Sequence, residues 1–302
     1  MTQLLNISAP VLVFGGPYSN LRALNAMHAR AAELGIDSTR TICTGDVVAY
    51  CAEPEQTVAA IRDWGCHVVA GNCEKQLAQD AGDCGCGFAE NTACDRLAKD
   101  WYAFARRRIT SESRTWMDGL PHHLEFELAG RTVRVIHGGV ARINRFVFAS
   151  ERQTIAAELE NARAGIVVAG HAGLPFIERI NHRVWFNPGV IGMPANDGTP
   201  DVWYGLIKID GSDLVLSTHR LTYDHASAAT ATQNASHADG YARALSTGLW
   251  PSLDILPAIE RAQTGQTIPE QCLRIAIVTT PMSGTEPHVQ RADDQHSPYR
   301  LP

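Results

Sequence analysis

Short apolar runs that end in turn residues alternate along this chain with stretches in which apolar residues recur at helical spacing. The first run, Val11–Phe14, precedes apolar positions from Leu21 to Leu34, and Gly35 follows as a suitable helix C-terminus. Such alternation is typical of βαβ units and predicts an α/β fold. The predicted strands are Val11–Phe14, Thr41–Thr44, His67–Ala70, His123–Phe126, Thr132–Ile136, Gly165–Ala169, Phe176–Ile180, Arg183–Phe186, Val202–Ile209 and Leu214–Leu221, and the predicted helices cover 21–34, 53–64, 95–120 and 150–163.

The character of the sequence changes after residue 222. We expect residues 1–222 to form one domain. Residues 223–240 are rich in Ser, Thr, Ala and His and are expected to be a linker. An amphipathic segment begins at Tyr241, so we expect residues 241–280 to form a helical C-terminal extension. The polar residues 281–302 are expected to be a disordered tail.

The composition is that of an ordinary globular protein, and it excludes several classes of partner. Of the 302 residues, 45% are hydrophobic and 19% are charged, and the net charge is -6. That charge provides no basic surface for nucleic acid or anionic lipid. No apolar stretch approaches the roughly 20 residues that span a bilayer, and the N-terminus lacks the pattern of a secretion signal. We therefore expect a cytoplasmic protein with neither nucleic acid nor a membrane as partner, and the composition does not predict its oligomeric state.

Polar clusters follow five of the predicted strands. Because ligands of open α/β sheets bind at the carboxyl ends of strands, these clusters should meet in space. They contain an Asp, an Asn and two His, whose oxygen and imidazole ligands suit a divalent Zn, Mn or Fe ion. A single strand-end Asp or His is more often structural, for example as a helix cap, but four in this arrangement predict a metal site. The four are Asp46, Asn72, His137 and His171, in the clusters Gly16–Asn20, Gly45-Asp46, Gly71–Glu74, His137-Gly138 and Gly170-His171.

These motifs, in this order, resemble those of the calcineurin-like metallophosphoesterases, in particular the bacterial small phosphodiesterases and diadenosine-tetraphosphatase-like proteins. That family carries D-x-H-G-N, G-D, G-N-H-D/E, H-G and G-H-x-H in the same order. Asn20-Leu21 and Asn187-Pro188-Gly189 match further family positions, so the resemblance covers roughly residues 10 to 221. It implies a four-layer αββα sandwich of two mixed β-sheets flanked by helices. It also implies hydrolysis of a phosphate ester, with a small phosphorylated molecule as partner.

The departures from the family pattern fall on one of its two metals. The resemblance implies that the second metal keeps all four ligands, whereas the first keeps only the Asp that both metals share. The other three first-metal positions carry Gly16, Tyr18 and Gly173. We therefore expect one metal at a remodelled site. Its expected ligands are Asp46, Asn72, His137 and His171.

Cys73 occupies the position at which the family has a His that helps to protonate the leaving group. A thiol is a poor acid near neutral pH unless its pKa is shifted. Together with the missing first-metal ligands, this predicts very weak activity on simple aryl phosphates. Cys73 and the neighbouring Asn72 are the candidate catalytic residues.

Seven of the eight cysteines lie between Cys43 and Cys94. Clustered thiols in a cytosolic protein indicate metal or redox chemistry, or they are simply small buried side chains. Their spacing matches no standard zinc or iron–sulfur motif, so a second metal or cluster and inert thiols both stay open. Tyr18 is likewise either a ligand at the vacated position or an aromatic ring that fills it. The candidate additional ligands are Cys51, Cys73, Cys84, Cys86, Cys94 and Tyr18.

Three functions are compatible with the sequence. The favoured one is a metal-dependent hydrolase of a phosphate ester. The others are a catalytically inactive relative that binds a phosphorylated ligand or a partner, and a metal or redox sensor based on the cysteines. A dinucleotide-binding unit at the first strand is disfavoured because no G-x-G-x-x-G follows it.

Overall fold

The apolar runs form strands that assemble into two β-sheets packed face to face. The computed structural model of the protein describes residues 2–235 and 239–277. In the described residues the strands are β1 (Thr2–Leu4), β2 (Val11–Phe14), β3 (Thr41–Cys43), β4 (His67–Val68), β5 (His123–Leu128), β6 (Arg131–Ile136), β7 (Ile166–Ala169), β8 (Phe176–Ile180), β9 (Arg183–Asn187), β10 (Val202–Asp210), β11 (Asp213–Leu221) and β12 (Cys272–Ala276). The α-helices are α1 (Leu21–Glu33), α2 (Pro54–Trp64), α3 (Asn72–Ala78), α4 (Ala93–Arg106), α5 (Ser111–Asp118), α6 (Arg152–Ala162), α7 (His225–Asn234), α8 (Asp239–Thr247) and α9 (Ala258–Ala262).

Both sheets are mixed. The first has the strand order β1-β5-β6-β7-β9-β8, and the second has the order β12-β11-β10-β2-β3-β4. The strands β2, β3 and β4 run parallel, as do β6, β7 and β9. The remaining neighbours in the second sheet pair antiparallel, including β10 with β2.

Alternating side chains of β2 show how the layers are built. Val11 and Val13 face the apolar layer between the two sheets, whereas Leu12 and Phe14 belong to the cluster beneath α1 and α2. On the far side, Ile155 of α6 packs against the first sheet. The result is helix, sheet, sheet, helix, so the predicted α/β fold of two mixed sheets flanked by helices is confirmed.

The segment 223–240 contains a helix where a linker was expected. The side chain of Asp224 accepts a hydrogen bond from the backbone N–H of Ser227 and caps the start of α7. Ala228 and Thr232 are buried, and α7 packs on α1 and α8. The linker prediction was wrong because small residues look like a flexible connection, although alanine is the strongest helix former.

The C-terminal extension is also not entirely helical. After α8 and α9 the chain enters β12, which adds an antiparallel strand beside β11. A strand this short shows no clear periodicity in the sequence. Its formation depends on pairing with β11, which lies far away in sequence. The expected tail at 281–302 lies outside the described residues. Within the described ranges, no helix combines the length and apolar character that membrane crossing requires.

Candidate metal centre

Four polar side chains meet where strands of both sheets end. Asp46 follows β3 and Asn72 begins α3 just beyond β4, whereas His137 directly follows β6 and His171 follows β7. All four residues are buried. Asp46 and His171 have φ angles of 56° and 60°, in the left-handed region that non-glycine residues rarely adopt. Residues held in such conformations concentrate at functional sites.

Three of these side chains each place a ligand atom within 4.8 Å of the others: Asp46, His137 and His171. His137 Nε2 lies 3.2 Å from Asp46 Oδ2 and 3.0 Å from His171 Nδ1. Asn72 Oδ1 is 3.0 Å from the same His137 nitrogen. Across residues 2–235 and 239–277, no other group of three or more His, Cys, Asp or Glu side chains has this spacing.

Hydrogen bonds assign the atoms that face this space. His137 Nδ1 lies 2.7 Å from the Thr44 carbonyl, which can only accept, so Nδ1 carries the hydrogen and Nε2 of the neutral ring has a lone pair. Asn72 Nδ2 donates to the Cys84 carbonyl at 2.9 Å, which assigns Oδ1 to the side facing His137. His137 Nε2 therefore faces a carboxylate oxygen, an amide oxygen and a second ring nitrogen. This donor set fits a divalent cation such as Zn, Mn or Fe.

The charges of the site are mutually dependent. Burial opposes ionisation of Asp46, but the adjacent His137 and His171 hold the pKa of Asp46 well below its ordinary value. Burial also opposes protonation of His137, yet the carboxylate of Asp46 raises the pKa of His137 above its ordinary value. Burial, together with the charge of His137, lowers the pKa of His171. In the metal-free protein, His137 is therefore the histidine of this pair that takes up a proton first.

We expect metal affinity to fall as the pH is lowered. A metal and a proton compete for His137 Nε2, and the raised pKa of His137 extends this competition to a higher pH than an ordinary histidine would. Below that pKa, the Kd for Mn²⁺ should weaken about tenfold per pH unit. Isothermal titration calorimetry between pH 8 and pH 5.5 measures this effect, and a Kd that does not change with pH would contradict it.

A buried carboxylate holds the loop that carries Asp46. Glu74 accepts backbone N–H hydrogen bonds from Asp46 and Val47 at 2.8 Å each, from Val48 at 3.4 Å and from Gly71 at 2.9 Å. Burial, followed by the negative charge of Asp46, raises the pKa of Glu74 to about 7, although these N–H groups favour the carboxylate. The sequence pattern included Glu74 but gave it no role. A Glu three residues after Gly71 is the signal of a helix start at Asn72 that was missed.

The comparison with known families agrees with this geometry. The sequence pattern of the calcineurin-like phosphoesterase superfamily domain matches residues 19–212, which is well over half of the chain. The chain belongs to the calcineurin-like phosphoesterase superfamily. The narrower bacterial subgroup stays a prediction.

Three known proteins resemble this chain over most of their own length. An uncharacterized protein of Methanocaldococcus jannaschii is 25% identical over 235 residues, which cover 72% of this chain and 89% of that protein. A metallophosphoesterase from Sphaerobacter thermophilus superposes with a TM-score of 0.64 at 18% identity, covering 80% of this chain and all (100%) of that one. A hypothetical protein from Pyrococcus horikoshii superposes with a TM-score of 0.68 at 16% identity, covering 83% of this chain and 100% of that one. At these identities, the two structures show the fold alone.

Aromatic rings lie beside Gly16 and Gly173, two of the positions expected from the sequence to depart from the metallophosphoesterase pattern. A side chain at Gly16 would overlap the ring of Tyr18. A Cβ at Gly173 would lie 3.3 Å from Cζ2 of Trp250. Burial, and then the charge of Asp46, raise the pKa of Tyr18 well above its ordinary value, which opposes the phenolate that a metal ligand requires. Tyr18 packs edge-on against Tyr50 with ring centres 4.8 Å apart.

The candidate cysteine ligands do not gather into one set. Cys84 and Cys86 are joined by a disulfide, so neither is a free thiolate. Cys73 and Cys86 contact Asn72 Nδ2 through their sulfur atoms at 3.5 and 3.4 Å. Burial and the charges of Asp46 and Glu74 raise the pKa of Cys73 well above its ordinary value. The remaining candidates lie elsewhere: Cys51 Sγ contacts the Gly192 carbonyl at 3.7 Å, and Cys94 lies on α4.

Two further contacts were not foreseen. Phe146 stacks on the ring of His171 with centres 4.2 Å apart. Asn144 donates to the Gly85 carbonyl at 3.0 Å and so supports the loop that holds Asn72. Both residues lie in the irregular segment after β6, where periodicity gives no signal.

Proposed function

We propose that this protein is a metal-dependent hydrolase of a phosphate ester that works with one divalent cation. The observation that carries the proposal is the convergence of Asp46, His137 and His171 on one space, with the amide oxygen of Asn72 beside them. A divalent cation bound there supplies Lewis acidity towards a phosphoryl oxygen and lowers the pKa of water. Its ligands would be Asp46, Asn72, His137 and His171.

The surrounding residues hold these ligands in place. The Thr44 carbonyl fixes the tautomer and orientation of His137. The Cys73 backbone N–H donates to Asp46 Oδ1 at 3.1 Å, which directs Oδ2 towards the histidines. Partners of this kind, which contact the ligands rather than the metal, are typically worth about 10–100-fold in metal affinity. The centre is therefore organised by the protein before a cation binds.

The proposed site is remodelled compared with a two-metal centre. Tyr18 lies over Gly16, and Trp250 lies against Gly173. These rings fill the space that side chains at the two glycines would need, which supports a single retained metal. A clamp of two metals on the attacking and leaving oxygens is then not available.

Proton transfer to the leaving group is the reaction step that this site supports least. Cys73 stands at the expected acid position, where burial raises the pKa of its thiol. Such a thiol donates a proton poorly at neutral pH. Hydrolysis should therefore depend on how well the leaving group departs without protonation.

We expect very slow turnover of aryl phosphates and still slower turnover of alkyl phosphates. A positioned acid is worth about 10²–10⁴ in rate, so turnover should fall by at least about 10² between a nitrophenyl and an alkyl ester. Steady-state rates of the Mn²⁺-loaded protein across leaving groups of increasing pKa measure this dependence. Rates that are robust and independent of the leaving group would contradict the proposal for Cys73.

The same measurements distinguish hydrolysis from the second candidate function. A catalytically inactive relative that binds a phosphorylated ligand is favoured by the position of Cys73 and by the rings of Tyr18 and Trp250. Metal-dependent binding of orthophosphate, with no turnover of any ester in the series, would establish that function instead of hydrolysis.

A further inference from the structure

A small cavity of about 70 Å³ lies beside His171, on the side of Tyr18 and Gly173. Its walls include five aromatic rings besides that of Tyr18. His171 lines this cavity and also belongs to the proposed metal centre, so the two adjoin at its ring. The five rings are those of Tyr50, Phe88, Phe146, Tyr241 and Trp250.

The walls are held by contacts among themselves. Tyr50 stacks on Tyr241 with ring centres 4.6 Å apart, and it also packs against Tyr18. The indole N–H of Trp250 donates to the Pro194 carbonyl at 2.6 Å, which fixes the ring beside Gly173. The cavity is therefore shaped before a ligand binds, which reduces the entropy lost on binding.

The chemistry of the lining selects what can enter. Among the described residues, no Lys, Arg, Asp or Glu side chain lines the cavity, and its polar groups are the hydroxyls of Tyr18, Tyr50, Tyr241 and Ser252, the thiol of Cys94 and the ring of His171. A phosphate group placed there would lose its water without gaining a cationic side chain as partner. Apolar groups, by contrast, bind favourably in apolar cavities.

We infer that this cavity receives the apolar alcohol group of a phosphate ester whose phosphoryl group lies at the metal centre. The inference rests on the proposed function and names its substrate class. A cavity of about 150 Å³ accommodates benzene, so one of about 70 Å³ holds a group of two or three carbon atoms. The space beside Tyr18 and Gly173 thus selects short, apolar esters by binding, whereas the rate of their hydrolysis is still limited by departure of the alcohol group without protonation.

Alkylphosphonates test this inference by binding alone, because their C–P bond is not hydrolysed. The Mn²⁺-loaded full chain is titrated calorimetrically with orthophosphate and with methyl-, ethyl-, propyl- and pentylphosphonate. Each methylene that enters the cavity should tighten Kd about fourfold, with no further gain beyond propyl. The polar analogue 2-hydroxyethylphosphonate, similar in length to propylphosphonate, should bind no tighter than methylphosphonate.

Variants locate the effect. Leu97→Trp fills the cavity from α4 and should remove the advantage of propyl over methyl, about 15-fold in the native protein. The matched control Leu249→Trp, at a residue that is 40% exposed and outside the cavity, should keep that advantage. Ile255→Trp fills the cavity from another wall and replaces Leu97→Trp if that variant does not fold.

The outcomes separate the two proposals. Orthophosphate binding without any chain-length dependence would overturn the cavity inference and leave the proposed function standing. Chain-length dependence that survives both filling variants would also overturn the inference, because the alkyl group would then lie elsewhere. A lack of metal-dependent orthophosphate binding would overturn the proposed function and the inference with it.

Discussion

Replacing His137 by alanine should reduce the bound metal from about one ion per chain to almost none, because His137 Nε2 contacts all three other donors of the proposed site. Loss of a residue that only supports a metal ligand already costs about 10–100-fold in affinity, so loss of a ligand should exceed 100-fold. Elemental analysis after dialysis measures the metal per chain. The metal-dependent rise in Tm should disappear in parallel, since a metal stabilises the folded state only where it binds.

The matched control for this variant is His182→Ala. His182 is exposed in the turn between β8 and β9 and takes no part in the metal centre. Its replacement should leave the metal content and the metal-dependent Tm unchanged. Unchanged metal content in His137→Ala would contradict the assigned site, whereas an equal loss in both variants would point to unspecific binding through surface histidines.

The fold and the convergence of Asp46, His137 and His171 were predictable because their signals are local. Buried strands such as β2 and β7 read as apolar runs bounded by glycine. His137 immediately follows β6, and Asp46 lies three residues after the end of β3. Strand ends converge in α/β folds. A pattern of strand, glycine and polar residue therefore predicts both the sheet and the convergence of the site.

The features that escaped prediction depend on contacts between distant segments. Trp250 reaches Gly173 from a segment whose sequence shows only amphipathic periodicity. Likewise β12 exists because β11 offers it an edge, and α7 is stable because α1 and α8 cover its small side chains. Such pairings lie outside any short sequence window, so neither the aromatic cavity nor the C-terminal strand could be derived from local pattern.

The disulfide between Cys84 and Cys86 is another feature that the sequence pattern did not predict. The spacing of the cysteines left thiolate binding and inert thiols open. The structure shows instead that the backbone of this loop matters to the site, since the Cys84 carbonyl orients the Asn72 amide. The spacing of residues in the sequence shows which side chains are available as ligands. It does not show which backbone carbonyl accepts a hydrogen bond from them.

Glu74→Ala should lower the free energy of unfolding by about 3–5 kcal/mol at pH 8, where Glu74 is ionised. The variant leaves four buried backbone N–H groups without their acceptor, among them those of Asp46 and Gly71. Asp46 also has a left-handed backbone, which the surrounding hydrogen bonds must maintain. Urea unfolding of the metal-free protein measures the change.

Two comparisons make the role of Glu74 specific. Glu74→Gln keeps the shape and one acceptor oxygen but turns an NH₂ group towards backbone N–H donors, so its loss of stability should lie between those of the native protein and Glu74→Ala. Glu160→Ala removes a carboxylate from an exposed pair with Arg183 and should leave the unfolding midpoint unchanged. Folded Glu74→Gln protein should also bind Mn²⁺ about 10–100-fold more weakly, because the loop that positions Asp46 has lost its support. If Glu74→Gln keeps the stability and the metal affinity of the native protein, the loop holds Asp46 without this carboxylate and the proposed role of Glu74 is wrong.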